Sequence, residues 1–324
     1  MKPHRLVSTI SALVLVSIAV SQVRAQTCRD TAYLGFDTRL TAAIASRVPL
    51  TAAPVTAFEM SAGRPLVAQG TTLLAARGDQ MTGADLKLPL RAILVDHQDR
   101  VTLQTDDSVY RLGMAKPEVV ARQSGGRLHR SGTQTTMEAK QAATAAQFAI
   151  KQEDGRTLPL ASIPGVLRLA SWNAEGLATI VGNSLFAWRP GEGDLLRLAT
   201  DEGLERVRDL VLVGPAKVVV ALNESLVLLT PQGRLIVGNL KGRVRWSSGT
   251  LYVLDERTGT VWSLKGIDTI GAREVDEAYA RALIKAVPAD APATHAAFLE
   301  AARIVGCELA EKLKSASRGA AAPR

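Results

Sequence analysis

Leu103-Gln104-Thr105-Asp106-Asp107-Ser108-Val109-Tyr110 reads as a short strand, a polar turn and a second strand. Aliphatic and β-branched residues flank a run of Thr, Asp and Ser, whose side chains bond nearby backbone and favour turns. The same figure stands at residues 67–74 (VAQGTTLL), 180–186 (IVGNSLF), 220–227 (VALNESLV) and 254–262 (LDERTGTVW), with a weaker copy at 143–149 around Phe148. The apolar residues that open the second strand are Leu73, Val109, Phe148, Leu185, Leu226 and Val261, at intervals of 36, 39, 37, 41 and 35. A period in that range, with several short alternating strands per unit, marks a propeller blade. A helical solenoid of similar period would need apolar residues 3.6 apart, which these segments lack. Residues 210–213 and 218–222 are near-continuous apolar runs on either side of Gly214-Pro215, as expected of fully buried inner strands.

Residues 96–112, DHQDRVTLQTDDSVYRL, resemble the blade repeat of bacterial sensor-type, NHL-like β-propellers, whose pattern runs D-x-x-G-x-L-W-V-G-T-x-x-G-L-x-x-L. Asp96, Val101, Leu103, Thr105, Val109 and Leu112 fall on matching positions; Asp99, Thr102, Gln104 and Ser108 stand where the pattern has Gly, Trp, Gly and Gly. The resemblance extends blade by blade over residues 53–270. It implies the fold and carries over no catalytic residue, because such propellers serve as sensors, scaffolds and enzymes alike.

The expected architecture is all-β: a single β-propeller of about six blades over residues 53–270, with flanking N- and C-terminal α-helices. A seventh blade would follow if Thr31–Phe36 paired with late strands and closed the ring. In the N-terminal segment 26–52, Asp37 caps a short helix with Leu40, Ala43, Ile44 and Val48 on one face and Pro49 as its stop. Residues 271–316 read as a helical hairpin and 317–324 as a frayed tail. Residues 1–25 read as a signal peptide: a basic start (Lys2, Arg5), an apolar run over 6–20 and a small-x-small site at Val23-Arg24-Ala25. No other run is long and apolar enough to cross a membrane as a helix, so cleavage would leave no transmembrane segment, and the expected localisation is periplasmic or secreted.

Cleavage removes Lys2, Arg5 and Arg24 and no acid, so the net charge falls from +8 to +5, a modest excess that argues little for a polyanion and against nucleic acid. The two cysteines, Cys28 and Cys307, are expected to form a disulfide in an exported chain. Closing so long a loop is worth roughly 5 kcal/mol in the chain-entropy treatment.

The candidate chemistry is sparse. His97, His129 and His295 lie in separate segments without ligand spacing, so no zinc or iron site and no cofactor is expected. Asp106, Asp107, Asn183, Asn223 and Glu224 occupy equivalent hairpin tips, where calcium or ordinary turn chemistry would explain them. No nucleophile elbow and no Gly-rich phosphate loop is present; Gly191-Glu192-Gly193 reads as a turn. The stretch 113–140 looks like a long exposed loop or weak outer blade rich in cations, among them Arg127 and Arg130; Lys241, Arg243 and Arg245 form a second basic group. These five fit either a solvated face or a surface for an anionic envelope polymer. Trp172, Trp188, Trp246 and Trp262 are expected in three or four blades, where they line a carbohydrate face or pack blades together. The function expected is an exported, non-catalytic protein-binding or scaffold module of the cell envelope. A propeller hydrolase or lyase acting on a sugar, lactone or polysaccharide is the alternative, and a polyanion binder the second.

Overall fold

The computed structural model describes residues 33–34 and 41–270, apart from residues 78–79, 113–116, 123–124, 201, 232 and 239–240. The signal peptide, Cys28, Cys307 and the C-terminal helices expected from sequence lie outside the described residues. The chain divides into two compact units. In the smaller, Tyr33–Leu34 pairs in parallel with Arg234 and Leu235.

The larger unit is a six-bladed β-propeller among the described residues. Blade one comprises Val55–Ser61, Arg64–Gln69, Thr72–Arg77 and Gln80–Asp85. Blade two comprises Ala92–Asp96, Val101–Gln104, Ser108–Leu112 and Pro117–Arg122. Gly126–His129, Thr136–Gln141, Ala145–Lys151 and Thr157–Pro164 form blade three. Leu167–Asn173, Gly176–Val181, Ser184–Trp188 and Leu196–Thr200 form blade four. Blade five is built on Asp209–Gly214, Lys217–Ala221 and Leu226–Thr230. Blade six is built on Gly242–Ser247, Thr250–Asp255 and Thr260–Lys265. The six reference residues of the repeat all fall on the third strand of their own blade, and all are buried.

Ring closure corrects the expected N-terminal helix. Thr41–Arg47 is a strand, paired antiparallel with Thr260–Lys265 as the fourth strand of blade six. Helical spacing of Leu40, Ala43 and Ile44 is a weak local preference, whereas the open edge of blade six offers a ladder from Thr41↔Lys265 to Arg47↔Thr260. Behind it, Val48 donates its N–H to the carbonyl of Gly259 at 2.7 Å. Gly259 has φ +68°, and a Cβ there would lie 2.1 Å from the Val48 carbonyl oxygen, so only glycine fits this join. The closing strand thus does the work that the expected seventh blade would have done. Val48, Val55, Phe58, Met60, Leu254 and Val261 fill the core between blades six and one.

The turns between first and second strands repay attention to backbone angles. Ala62, Asp99, Ala216 and Ser248 all have positive φ, and all lie in that turn of their blade. Ala62-Gly63 and Ser248-Gly249 are positive at both positions, as tight hairpin turns require. Asp99, at φ 57°, stands where the blade pattern has Gly, and Asp is among the few residues that tolerate this conformation. Its carboxylate also accepts the N–H of Ala62 at 2.7 Å, tying blade two to the turn of blade one.

Candidate functional site

The first strands of all six blades surround a central cavity of about 330 Å³. Its wall is polar, and it holds most of the basic residues singled out in the sequence. Arg127, Arg130, Arg243 and Arg245 all line it, while Lys241 does not. The stretch 113–140 is therefore no exposed loop: it contains Pro117–Arg122, Gly126–His129, the short strand Ser131–Thr133 and most of Thr136–Gln141. Of its charged residues in the wall, Arg130 lies 3.7 Å from Asp96, whereas Arg127 has no acid partner among the described residues. Ser131–Thr133 pairs in parallel with Ala92–Asp96, so the chain leaving the first strand of blade three lies along the inner edge of blade two.

Three ionic joints hold the wall. In the first, Arg245 lies between two carboxylates: Nη1 donates to Oδ2 of Asp209 at 2.8 Å, and Nε is 3.2 Å from Oε2 of Glu59. Oε1 of Glu59 accepts the Ser131 hydroxyl at 3.1 Å and the Met60 N–H at 3.0 Å. Burial pushes Glu59 up to about 7, against the opposing pull of Arg245 and those two hydrogen bonds. Arg245 stays charged despite its burial because Asp209 and Glu59 both favour its cation. Blades one, five and six meet at this point. In the second joint, Arg243 donates to Glu256 at 3.1 Å, to the Arg208 carbonyl at 3.2 Å and to the Val55 carbonyl at 2.9 Å. In the third, Arg130 of the wall lies 3.7 Å from Asp96, which also accepts the N–H groups of Gln98 and Arg100, each at 2.9 Å, and Nε of Arg100 at 2.6 Å. Burial pushes Asp96 up, but these bonds and the Arg100 charge hold it below its ordinary value.

His129 completes the wall. Burial, Arg127 and Arg245 depress it to about 3, so its imidazole is neutral at physiological pH. Three of the five hairpin-tip residues considered for calcium are engaged elsewhere: Asp106 pairs with Arg91 at 3.0 Å, Glu224 pairs with Arg257, and Asp107 accepts the Thr105 hydroxyl at 2.8 Å. Among the described residues, no three His, Cys, Asp or Glu side chains converge closely enough to hold a metal ion.

The tryptophans occupy two blades rather than three or four. Trp172 and Trp188 belong to blade four and stack with ring centroids 6.1 Å apart, inside the core shared with blade three. Trp246 and Trp262 belong to blade six. A blade spans nearly 40 residues, so the pairs 172/188 and 246/262 each fall within one repeat.

Sequence reasoning passed over Glu59, Asp209 and Arg168, because isolated charged residues on strands carry no motif. It also passed over three glutamines that did carry a signal. Gln69, Gln104 and Gln141 each end the second strand of blades one, two and three, spaced at the blade period. The Gln104 amide donates to the Gly126 carbonyl at 3.1 Å and accepts the Leu128 N–H at 3.0 Å, clasping the first strand of blade three. Gln141 treats blade four alike, accepting the Leu167 N–H at 2.6 Å and donating to the Gly165 carbonyl at 3.3 Å. Gln69 clasps the segment entering blade one, through the Thr51 N–H at 3.0 Å and the Ala53 carbonyl at 2.5 Å.

Fold and cavity together define a six-bladed β-propeller with an arginine-rich central cavity. No known family pattern and no curated protein matches the chain. Among solved structures, the calcium-binding protein regucalcin of Agrobacterium tumefaciens matches at 12% identity and TM-score 0.49, covering 72% of this chain and 97% of that one. A luciferin-regenerating enzyme matches at 11% and 0.47, covering 70% and 95%. The Swd1 β-propeller domain of Myceliophteria thermophila matches at 11% and 0.40, covering 65% and 82%. The likeness is one of fold and brings no activity with it.

Proposed function

We propose that the protein is an exported, non-catalytic binding module of the cell envelope, with a protein partner. The observation that carries the reading is the state of the cavity carboxylates. Glu59 and Asp209, the two acids in the wall, have every carboxyl oxygen engaged, Glu59 on Arg245, Ser131 and the Met60 N–H and Asp209 on Arg245 and the Leu210 and Val244 N–H groups. Neither offers an unpartnered oxygen to a water or a nucleophile. Aliphatic side chains exposed on the outer strands of neighbouring blades, Val119 and Val120 on blade two and Leu158 on blade three, suit contact with another protein. Export, with a Cys28–Cys307 disulfide, belongs to the same reading. Among the described residues no helix is long and apolar enough to cross a membrane.

The test is affinity capture of the full chain from envelope fractions, with and without residues 272–324. A specific protein partner, captured less well by the shortened chain, supports the reading. Turnover of a sugar, lactone or ester substrate that is lost in Glu59→Gln would replace it with the hydrolase alternative.

A further inference from the structure

Six arginines line the central cavity against two carboxylates. Four of them have an acid: Arg91 has Asp106, Arg243 has Glu256, Arg245 has Asp209, and Arg130 lies 3.7 Å from Asp96. Arg127 and Arg168 have none among the described residues. Arg168 donates to the backbone carbonyl of Glu205 at 2.5 Å, a neutral partner. The strand period of two puts His129 on the same side of its strand as Arg127, and burial first, with the charges of Arg127 and Arg245 added to it, keeps that imidazole neutral. The cavity volume sits at the lower end of small-molecule sites, which run from about 300 to 1,000 Å³. A guanidinium presents paired N–H donors that match a carboxylate or phosphate and meet a neutral hydroxyl poorly.

We infer that the central cavity binds a small oxyanion, a carboxylate- or phosphate-bearing molecule no larger than a single sugar unit, through Arg127 and Arg168. This site is independent of the protein-partner reading. It differs from a polymer-binding strip in being enclosed by six blades, with Lys241 left outside.

Isothermal titration of the full chain at low ionic strength tests it, with inorganic phosphate, glucuronate and glucose as probes. Phosphate, glucuronate or both should bind, glucose should not, and the preferred anion tells which group the site takes. Arg127→Gln and Arg168→Gln should each weaken binding about tenfold or more, since a charge-assisted hydrogen bond is worth roughly 1.5–3 kcal/mol. Added salt should weaken it too, and Lys241→Gln should leave it unchanged. Both arginines are exposed and have no acid partner among the described residues, and melting curves check that each variant is folded. Failure of both anions to bind, binding by either arginine variant as tight as that of the wild type, or equal binding of glucose overturns the site. So does a chain that binds polygalacturonate while ignoring both small anions, which would favour a surface strip.

Discussion

Blade five and the joint between blades two and three are held together by different means. In blade five, Leu210–Val213, Val218–Ala221 and Leu226–Leu229 are all buried, an almost purely aliphatic stack. Blades two and three are joined instead by the Gln104 amide across to Gly126 and Leu128, by the short parallel strand Ser131–Thr133, and by His97 3.7 Å from Glu153. Apolar burial is strong but indifferent to direction, whereas a bidentate amide fixes register at modest net gain. One propeller uses both. The aliphatic blade adds its polar ties at its edges, Asp209 to Arg245 at 2.8 Å and the Leu212 carbonyl to the Asn173 amide at 2.7 Å, and the polar joint leaves its inner strand free to carry charges into the cavity.

The comparison can be broken most severely in blade five. Leu228→Ala, at a fully buried position, should cost about 2–5 kcal/mol, read as a lower denaturation midpoint with unchanged slope. Gln104→Ala should cost less, about 1–3 kcal/mol, because it strands a carbonyl and an N–H at the joint without opening a large void. If Gln104→Ala proved the costlier, the polar joint rather than the aliphatic stack would be the stronger element.

The smallest effect expected is a flat response to acid. Folded Glu59 keeps its proton up to about pH 7, while the unfolded chain releases it near 4.5, so its contribution is present at low pH and lost as the pH rises through 7. His129 runs the other way. The unfolded chain protonates it near 6.5 and the folded protein not until about 3, so stability is lost as the pH falls below 6.5. Between about 4.5 and 6.5 the two changes cancel, and the melting temperature of the wild type should show no net trend from this pair. Glu59→Gln removes one of them, so its melting temperature should fall steadily as the pH is lowered from 6.5 to 4.5. A variant as flat as the wild type would show that His129 is not held neutral.

Much of the fold was legible in the residues. The six repeat positions, the hairpin tips and the buried strands at 210–213 and 218–222 follow from alternation of apolar residues and from turn chemistry, which act over a few residues and leave a direct trace. The closing strand left none. Thr41–Arg47 is alanine-rich and compatible with a helix, and only the unpaired edge of blade six, more than 200 residues away, makes it a strand. Two departures from the blade pattern, Asp99 and Gln104, are ties between blades. Gln69, Gln104 and Gln141 recur at the blade period and were open to being found, had polar residues been searched for repetition as apolar ones were.

The amino-acid sequence by itself determined the blade, because strand, turn and strand are specified by neighbours along the chain. The spacing of the repeats also set about six blades and left a seventh open. Which charges meet was decided only by the tertiary structure. Glu59, Asp209 and Arg245 come from blades one, five and six, and nothing local distinguishes them from solvated residues. The ring brings their strands to one wall, burial removes the water that would otherwise screen them, and pairing becomes obligatory there. The same convergence leaves Arg127 and Arg168 without acids among the described residues, a property of the closed ring that no single blade possesses.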